Sequence, residues 1–211
     1  MDSVEWKRVA QYAHRRVVLV SGPPASGKTT LARPLAEVLG FALLSKDDIK
    51  ESLYTSLEGA VLKGSADPLL PCDVEVSRRL SDAAIDLLWT LAPQCPQVVL
   101  EANFRTQDPQ QRGKYAALLA HPGTSCVEVH CRIPLEEAAR RFAERARAER
   151  HHPAHPLQQM GVDRLTKYAE PFAMSAVIEV DMLRPIEIAD LAELVCAIQN
   201  VQRTSGTAAD V

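Results

Sequence analysis

Residues Gly22 to Thr29 read Gly-Pro-Pro-Ala-Ser-Gly-Lys-Thr and follow directly on the apolar run Val17-Val18-Leu19-Val20. A buried strand that ends, a glycine-bearing turn and a helix that opens at Gly27-Lys28-Thr29 form a phosphate cradle. Backbone N–H groups of such a loop point inward at phosphate oxygens, and the helix N-terminus adds positive potential. The contact set expected here is Gly22, Pro23, Pro24, Ala25, Ser26, Gly27, Lys28, Thr29 and Thr30. Lys28 has the reach for β/γ-phosphates, and the Thr29 hydroxyl suits Mg²⁺. The chain has no Asn-Lys-x-Asp guanine signature, which disfavours a GTPase and leaves ATP with Mg²⁺ as the expected pair.

Two further strand ends carry polar residues. Phe41–Leu44 runs into Ser45-Lys46-Asp47-Asp48-Ile49-Lys50. Paired acids at a helix start serve as caps or first-turn acids; beside a phosphate loop the same position suits a base that takes a proton from an attacking hydroxyl. Asp47 is the candidate for the base and Asp48 for the cap. Val98–Leu100 runs into Glu101-Ala102-Asn103-Phe104-Arg105. Glu101 is placed to hold the Mg²⁺ hydration shell, or to orient Asp47 or the substrate, with Asn103 and Arg105 at the same rim. A third feature is the arginine-dense stretch Arg140, Arg141, Arg145, Arg147 and Arg150, followed by His151-His152-Pro153-Ala154-His155. Pairing with Glu136 and Glu137 would make it an ordinary solvated helix. Over a phosphoryl-transfer site the same cations neutralise developing charge, and Arg141 and Arg145, four apart on one face, are the phosphate-facing candidates, with Arg150 as a further one. The histidines lack the cysteines or acids that would complete a metal site.

Alternating strands and helices must position these groups. Strands are expected at Val17–Val20, Phe41–Leu44, Val98–Leu100, Val127–Cys131 and Ala176–Val180. The first helix carries Leu31, Leu35 and Leu39 and ends at Gly40, with Pro34 anomalous inside it. The next turns Ile49, Leu53 and Leu57 inward, and a long one turns Val76, Leu80, Ala83, Leu87 and Leu91 inward. Asp108-Pro109 opens a helix with Tyr115, Leu118 and Leu119; Pro134 opens one with Leu135, Ala138, Phe142 and Ala146; Pro185 opens the last, with Ile188, Leu191, Val195 and Ile198 inward. Short apolar strands between helices predict an α/β architecture, a parallel sheet covered on both faces with its site at the strands' carboxyl ends. One domain over 1–203 is expected, with a lid at about 141–157, an acceptor-side insert at about 51–73 and a tail at 204–211.

The 211 residues carry 24 Lys and Arg against 27 Asp and Glu, a net charge of -3, so no global basic field exists to hold a polyanion. No apolar run spans a bilayer. Met1 to Arg16 is charged throughout, without a signal-type apolar run, so a cytoplasmic location is expected. The five cysteines have no Cys-x-x-Cys spacing and read as free thiols.

On Gly-Pro-Pro-Ala-Ser-Gly-Lys-Thr-Thr, Ser-Lys-Asp-Asp-Ile-Lys, Leu-Glu-Ala-Asn-Phe-Arg and the arginine–histidine segment, the chain resembles the small P-loop kinases. These include chloramphenicol phosphotransferase, zeta toxins, gluconate kinase and the 5′-kinase module of polynucleotide kinase. The resemblance runs from about Val17 to Asp181. It implies a three-layer P-loop NTPase fold with a five-stranded parallel sheet in the order 2-3-1-4-5 and a short lid. It places the general base at Asp47 and an acceptor-seating cation at Lys50, and matches the lid arginines to Arg141 and Arg145. The reaction implied is transfer from ATP to a hydroxyl of a small molecule. A 5′-hydroxyl nucleic-acid kinase and a nucleotide-dependent switch are the alternatives; low aromatic content disfavours the first.

Overall fold

A computed structural model describes residues 15–62, 73–148 and 152–207. Short, largely apolar runs, rich in valine everywhere but in β2, form the strands: β1 (Arg15–Ser21), β2 (Ala42–Ser45), β3 (Gln97–Glu101), β4 (Thr124–Arg132) and β5 (Ala176–Asp181). All pair in parallel in the order β2-β3-β1-β4-β5, the expected arrangement. Between them lie α1 (Lys28–Leu39), α2 (Lys46–Leu62), α3 (Val74–Leu91), α4 (Pro109–Leu119), α5 (Leu135–Ala146), α6 (Val162–Leu165) and, last, α7 (Ile188–Thr207).

Side chains alternate across a strand, so β1 feeds two cores. Val18 and Val20 pack with Leu31, Leu35, Val129 and Ile198 under α1 and α7. Val17 and Leu19 pack with Leu88, Trp89, Phe104, Tyr115 and Phe172 under α3 and α4. The tilted pair Tyr115–Phe172, with ring centroids 5.0 Å apart, and the pair Trp89–Phe104 at 5.3 Å anchor the second core. Central β1 therefore delivers its carboxyl end to a point fixed by packing on both faces. Neighbours β3 and β4 leave it in opposite directions through the sheet, which opens the crevice where such folds bind ligands.

Most helix signals are met. Asp108 accepts hydrogen bonds from Gln110 N and Gln111 N at the start of α4, and Gly40, at φ 68, caps α1. Pro34 sits within α1. The carbonyl it deprives of a donor belongs to Thr30, which is exposed, so water can satisfy it. Three expectations need correction. On α3 the inward face is Ser77, Leu80, Ala84, Ile85, Leu88 and Trp89, while Val76, Ala83, Leu87 and Leu91 are exposed. The Trp89 indole and the Leu80–Ala84–Leu88 spacing bury more surface than the rival stripe. Leu57 is 53% and Ile188 90% exposed, because α2 packs inward mainly near its start and α7 begins only at Ile188, beyond Pro185. The capping place before α2 goes to Ser45, whose Oγ lies 3.5 Å from Asp48 N; Asp48 instead pairs with Arg33 at 2.8 Å. Residues 1–14, Leu69, Leu70 and Cys72 of the insert, Arg150 and His151 lie outside the described residues, and α7 continues as helix to Thr207.

Candidate active site

The loop after β1 is built around backbone that only small residues tolerate. Gly22 has φ 136, and a Cβ there would lie 2.6 Å from the Cys131 carbonyl oxygen of β4. Ala25 and Gly27 also have positive φ, 61 and 92. The turn closes when Ser26 N donates to Pro23 O at 3.2 Å. Ser26 Oγ is buried without a hydrogen-bond partner. Lys28 is buried, and its ammonium donates back to Pro23 O at 2.7 Å. Burial lowers the Lys28 pKa, and Glu101 and Asp47 offset part of that effect. An ammonium folded onto its own loop, beside an unpaired hydroxyl, is a cradle whose polar groups await an anion.

Pro24, Ala25, Gly27, Lys28, Thr29 and Thr30 line a cleft of about 710 Å³, and Gly22, Pro23 and Ser26 are buried behind them. Lys46, Asp47, Lys50, Glu101, Asn103, Arg105, Arg141 and Arg145 line the same cleft. Every described residue of the expected site except those three buried loop members thus meets in one place.

The groups are held by one another. Lys46 Nζ lies 2.6 Å from Asp47 Oδ1 and donates to Asn103 Oδ1 at 3.1 Å. Burial alone would raise the Asp47 pKa; Lys46, His155 and Lys28 outweigh it and hold the carboxyl well below the usual range. Glu101 accepts from Ser45 Oγ at 2.8 Å. Burial raises its pKa, the Asp47 charge adds to the rise, and Lys28 opposes it. Lys50 donates to Ser77 Oγ at 2.8 Å, and Ser77 donates to Ala154 O at 2.9 Å. His155 Nδ1 lies 3.4 Å from Lys50 Nζ, and its Nε2 lies 3.0 Å from Glu51 Oε1. Burial lowers the His155 pKa, and the Asp47 charge and the Glu51 hydrogen bond oppose that effect.

The two arginines differ. Arg141 is tied to Glu137 at 2.7 Å and donates to the carbonyls of Met182 and Leu183 at 3.0 and 3.1 Å. Arg145 lies over the Phe142 ring, 5.5 Å from its centroid, with no acid partner among the described residues. The sequence pattern left out the cleft face of α3, namely Ser77, Arg78, Ser81, Asp82 and Ile85, together with Arg164, Lys167 and Tyr168. The α3 set recurs at helical spacing, but the competing apolar stripe on the same helix left open which face turns toward the cleft.

Among the described residues no group of three His, Cys, Asp or Glu side chains forms a metal cage. Thr29 and Glu101 instead offer oxygen donors beside the loop. That donor set fits Mg²⁺, which keeps waters and takes phosphate oxygens rather than a full protein shell. No described helix is long and apolar enough to cross a membrane.

The family model described as an AAA domain matches residues 17–162, more than half of the chain. The chain belongs to that family. Within the AAA domain family its fold is that of the P-loop kinases. A candidate kinase from Chloroflexus aurantiacus superposes with a TM-score of 0.71 at 26% identity, covering 89% of this chain and 98% of that one. Kti12 of Chaetomium thermophilum, solved with ADP-AlF3, shares the fold at a TM-score of 0.56 and 20% identity, over 88% of this chain and 98% of that one. In sequence, an uncharacterized protein of Mycobacterium tuberculosis is 30% identical over 136 residues, 64% of this chain but 27% of that protein. The chain therefore matches about a quarter of the length of its mycobacterial relatives. A cytidylate kinase of Ignicoccus hospitalis is 33% identical over 129 residues, 61% of this chain and 64% of that one.

Proposed function

We propose that the chain is an ATP- and Mg²⁺-dependent kinase that transfers the γ-phosphoryl group to a hydroxyl of a small molecule. The observation that carries this reading is an ionised carboxylate, Asp47, in the same cleft as the phosphate loop and within electrostatic range of Lys28. A phosphate acceptor of the kind a cytidylate kinase takes has no use for it as a base, since an acceptor oxyanion has no proton to lose.

The loop amides and Lys28 bind the β/γ-phosphates, and Arg145, without an acid partner among the described residues, supplies charge to the transferred group. Arg141, fastened between Glu137 and the carbonyls after β5, frames the nucleotide site while its own donors are largely committed. Thr29 and Glu101 would hold Mg²⁺, which when bound neutralises charge on the phosphates. Asp47 accepts a hydrogen bond from the acceptor hydroxyl and takes its proton as the new P–O bond forms. The loose transition state of phosphoryl transfer asks for late proton transfer, so a weak base that is always ionised suffices. Lys46 keeps that carboxylate oriented, with Asn103 holding Lys46.

ADP release from Mg-ATP, followed across small alcohols, nucleosides and an oligonucleotide with a free 5′-hydroxyl, tests the reading. Acceleration by a small alcohol is the expected result; acceleration by the oligonucleotide alone would replace it with the nucleic-acid kinase.

Glu101 yields a separate, pH-dependent result. Its folded-state pKa is raised, so the folded protein binds more protons than the unfolded chain above the ordinary carboxylate pKa, and stability falls as pH rises through that window. Glu101→Gln removes the penalty. Its melting temperature should exceed that of the unaltered protein at pH 8 and match it near pH 4, while turnover falls. A melting temperature lower at pH 8 than at pH 4, relative to the unaltered protein, would contradict the electrostatic account.

A further inference from the structure

The sheet face turned toward α3 and α4 is apolar on β1 and β3, with Val17, Leu19, Val98 and Leu100. Where β1 ends, the same face becomes polar. It carries Ser21, the last residue of β1, beside Glu128 and His130 of β4. All three are buried. Ser21 Oγ donates to Glu128 Oε1 at 2.7 Å and lies 2.8 Å from His130 Nδ1. The far sides of the two β4 groups reach one stretch of chain. Glu128 Oε1 accepts from Phe172 N at 3.0 Å and Oε2 from Ala173 N at 3.1 Å. Ala173, at φ 52, turns these successive amides toward a common centre. His130 Nε2 donates to Ala169 O at 2.8 Å.

A serine, a histidine and a glutamate in contact invite comparison with a hydrolytic triad, and the geometry excludes one. Ser21 stands between the acid and the imidazole rather than at the end of a relay, and burial leaves no surface for a substrate. Stability alone does not call for the cluster either, because well-packed hydrocarbon serves a core as well as buried polar groups do. What the cluster joins is more telling. Ser21 precedes Gly22, where the phosphate loop leaves the sheet so close to β4 that a Cβ would meet the Cys131 carbonyl. Ala169 follows Arg164, Lys167 and Tyr168, which line the cleft.

Resting on the nucleotide half of the kinase reading, we propose that Glu128 and His130 are positioning residues of the nucleotide site, acting through Ser21. They clamp the base of the phosphate loop to residues 169–173 and so fix its distance from the cleft wall at 164–168. Neither lines the cleft. Hydrogen bonds are directional, and water does not compete for buried ones. A shift of the loop base onto a phosphate is therefore passed to the wall, and a seated wall holds the loop in its anion-binding shape.

Hydrogen exchange of the full chain, read by mass spectrometry with and without saturating Mg-ADP, tests the clamp. Mg-ADP should slow exchange in residues 22–30 and also in residues 166–173. Ser21→Ala removes one hydroxyl and leaves Glu128 and His130 bonded to the segment after the wall. In that variant Mg-ADP should still slow residues 22–30, while the response at 166–173 disappears. Mg-ADP affinity should fall about two- to thirtyfold, the range of coupling carried through an intervening group. Ser21→Thr, which restores the hydroxyl, should recover part of both effects. Leu88→Ala opens a cavity in the same core from α3. It should lower the melting temperature and leave both exchange responses in place. If residues 22–30 respond and 166–173 do not, or if 166–173 respond equally in Ser21→Ala, the clamp is wrong while the nucleotide site stands. Loss of the 166–173 response in Leu88→Ala as well would reduce the cluster to a contributor to fold stability and overturn the positioning role. If Mg-ADP slows neither stretch, the nucleotide site falls and takes the clamp with it.

Discussion

Asp47→Asn should leave nucleotide affinity within about twofold while lowering acceptor phosphorylation by about 10²–10⁴, the range of a positioned general base. The substitution keeps shape and removes both charge and basicity. Its fold cost is contained, since the Asn side chain keeps the shape and polarity of Asp47, which is 32% exposed. Lys46 keeps Asn103 as a partner. The acidic limb of the rate profile supplies an independent reading. Because the Asp47 pKa is held well below the usual carboxylate range, Asp47 stays ionised throughout the accessible pH range. A loss of turnover on the acidic side must then come from another group, and the buried Glu101, with its raised pKa, is the one placed to cause it. Turnover of Asp47→Asn like that of the unaltered protein would take Asp47 out of the chemistry.

The parts of this arrangement legible in the sequence are those set by local rules. Gly22 and Gly27 mark backbone at positive φ, and a Cβ at Gly22 would run into β4. The apolar runs of β1, β3 and β4 announce strands covered on both faces, and the topology fixes where their carboxyl ends meet. Asp47 and Glu101 could therefore be placed from their strands alone. The α3 wall could not. Val76, Ala83, Leu87 and Leu91 form a tidy apolar stripe, yet burial goes to Leu80, Ala84, Leu88 and Trp89, on a rotated face. That rotation carries Arg78 and Asp82 into the cleft. Which of two apolar faces wins depends on what α3 packs against, chiefly Phe104 and Tyr115, and those partners are distant in the chain. The different surroundings of Arg141 and Arg145 were invisible for the same reason: the carbonyls of Met182 and Leu183 that hold Arg141 come from the far end of β5.

Lys28→Ala should abolish most nucleotide binding without unfolding the protein, and the two effects can be read in one experiment. In the free protein the Lys28 ammonium is buried, its pKa is lowered, and its one hydrogen bond goes to Pro23 O. A base with a lowered folded pKa penalises folding at any pH where it stays charged, so losing the ammonium relieves a cost as well as removing a bond. The melting temperature of the unliganded variant should therefore change little, and Lys28→Met, which keeps the packing, should change it less. A ligand at a hundred times its Kd stabilises by about 2.7 kcal/mol, which for a chain of this size raises the melting temperature by roughly 5–10 °C. The unaltered protein should show that rise with Mg-ADP. Truncating a buried cation that pairs with phosphate costs about 2–5 kcal/mol of binding, a weakening of about 30-fold or more. At the same nucleotide concentration the rise in either variant should then shrink to a small fraction. A full rise in both would mean that the ammonium does not turn from Pro23 O to the nucleotide, and the loop would be a structural turn rather than an anion cradle. A lower unliganded melting temperature in Lys28→Ala but not in Lys28→Met would trace to the cavity left by the side chain, and would leave the loss of the ligand-induced rise as the decisive measurement.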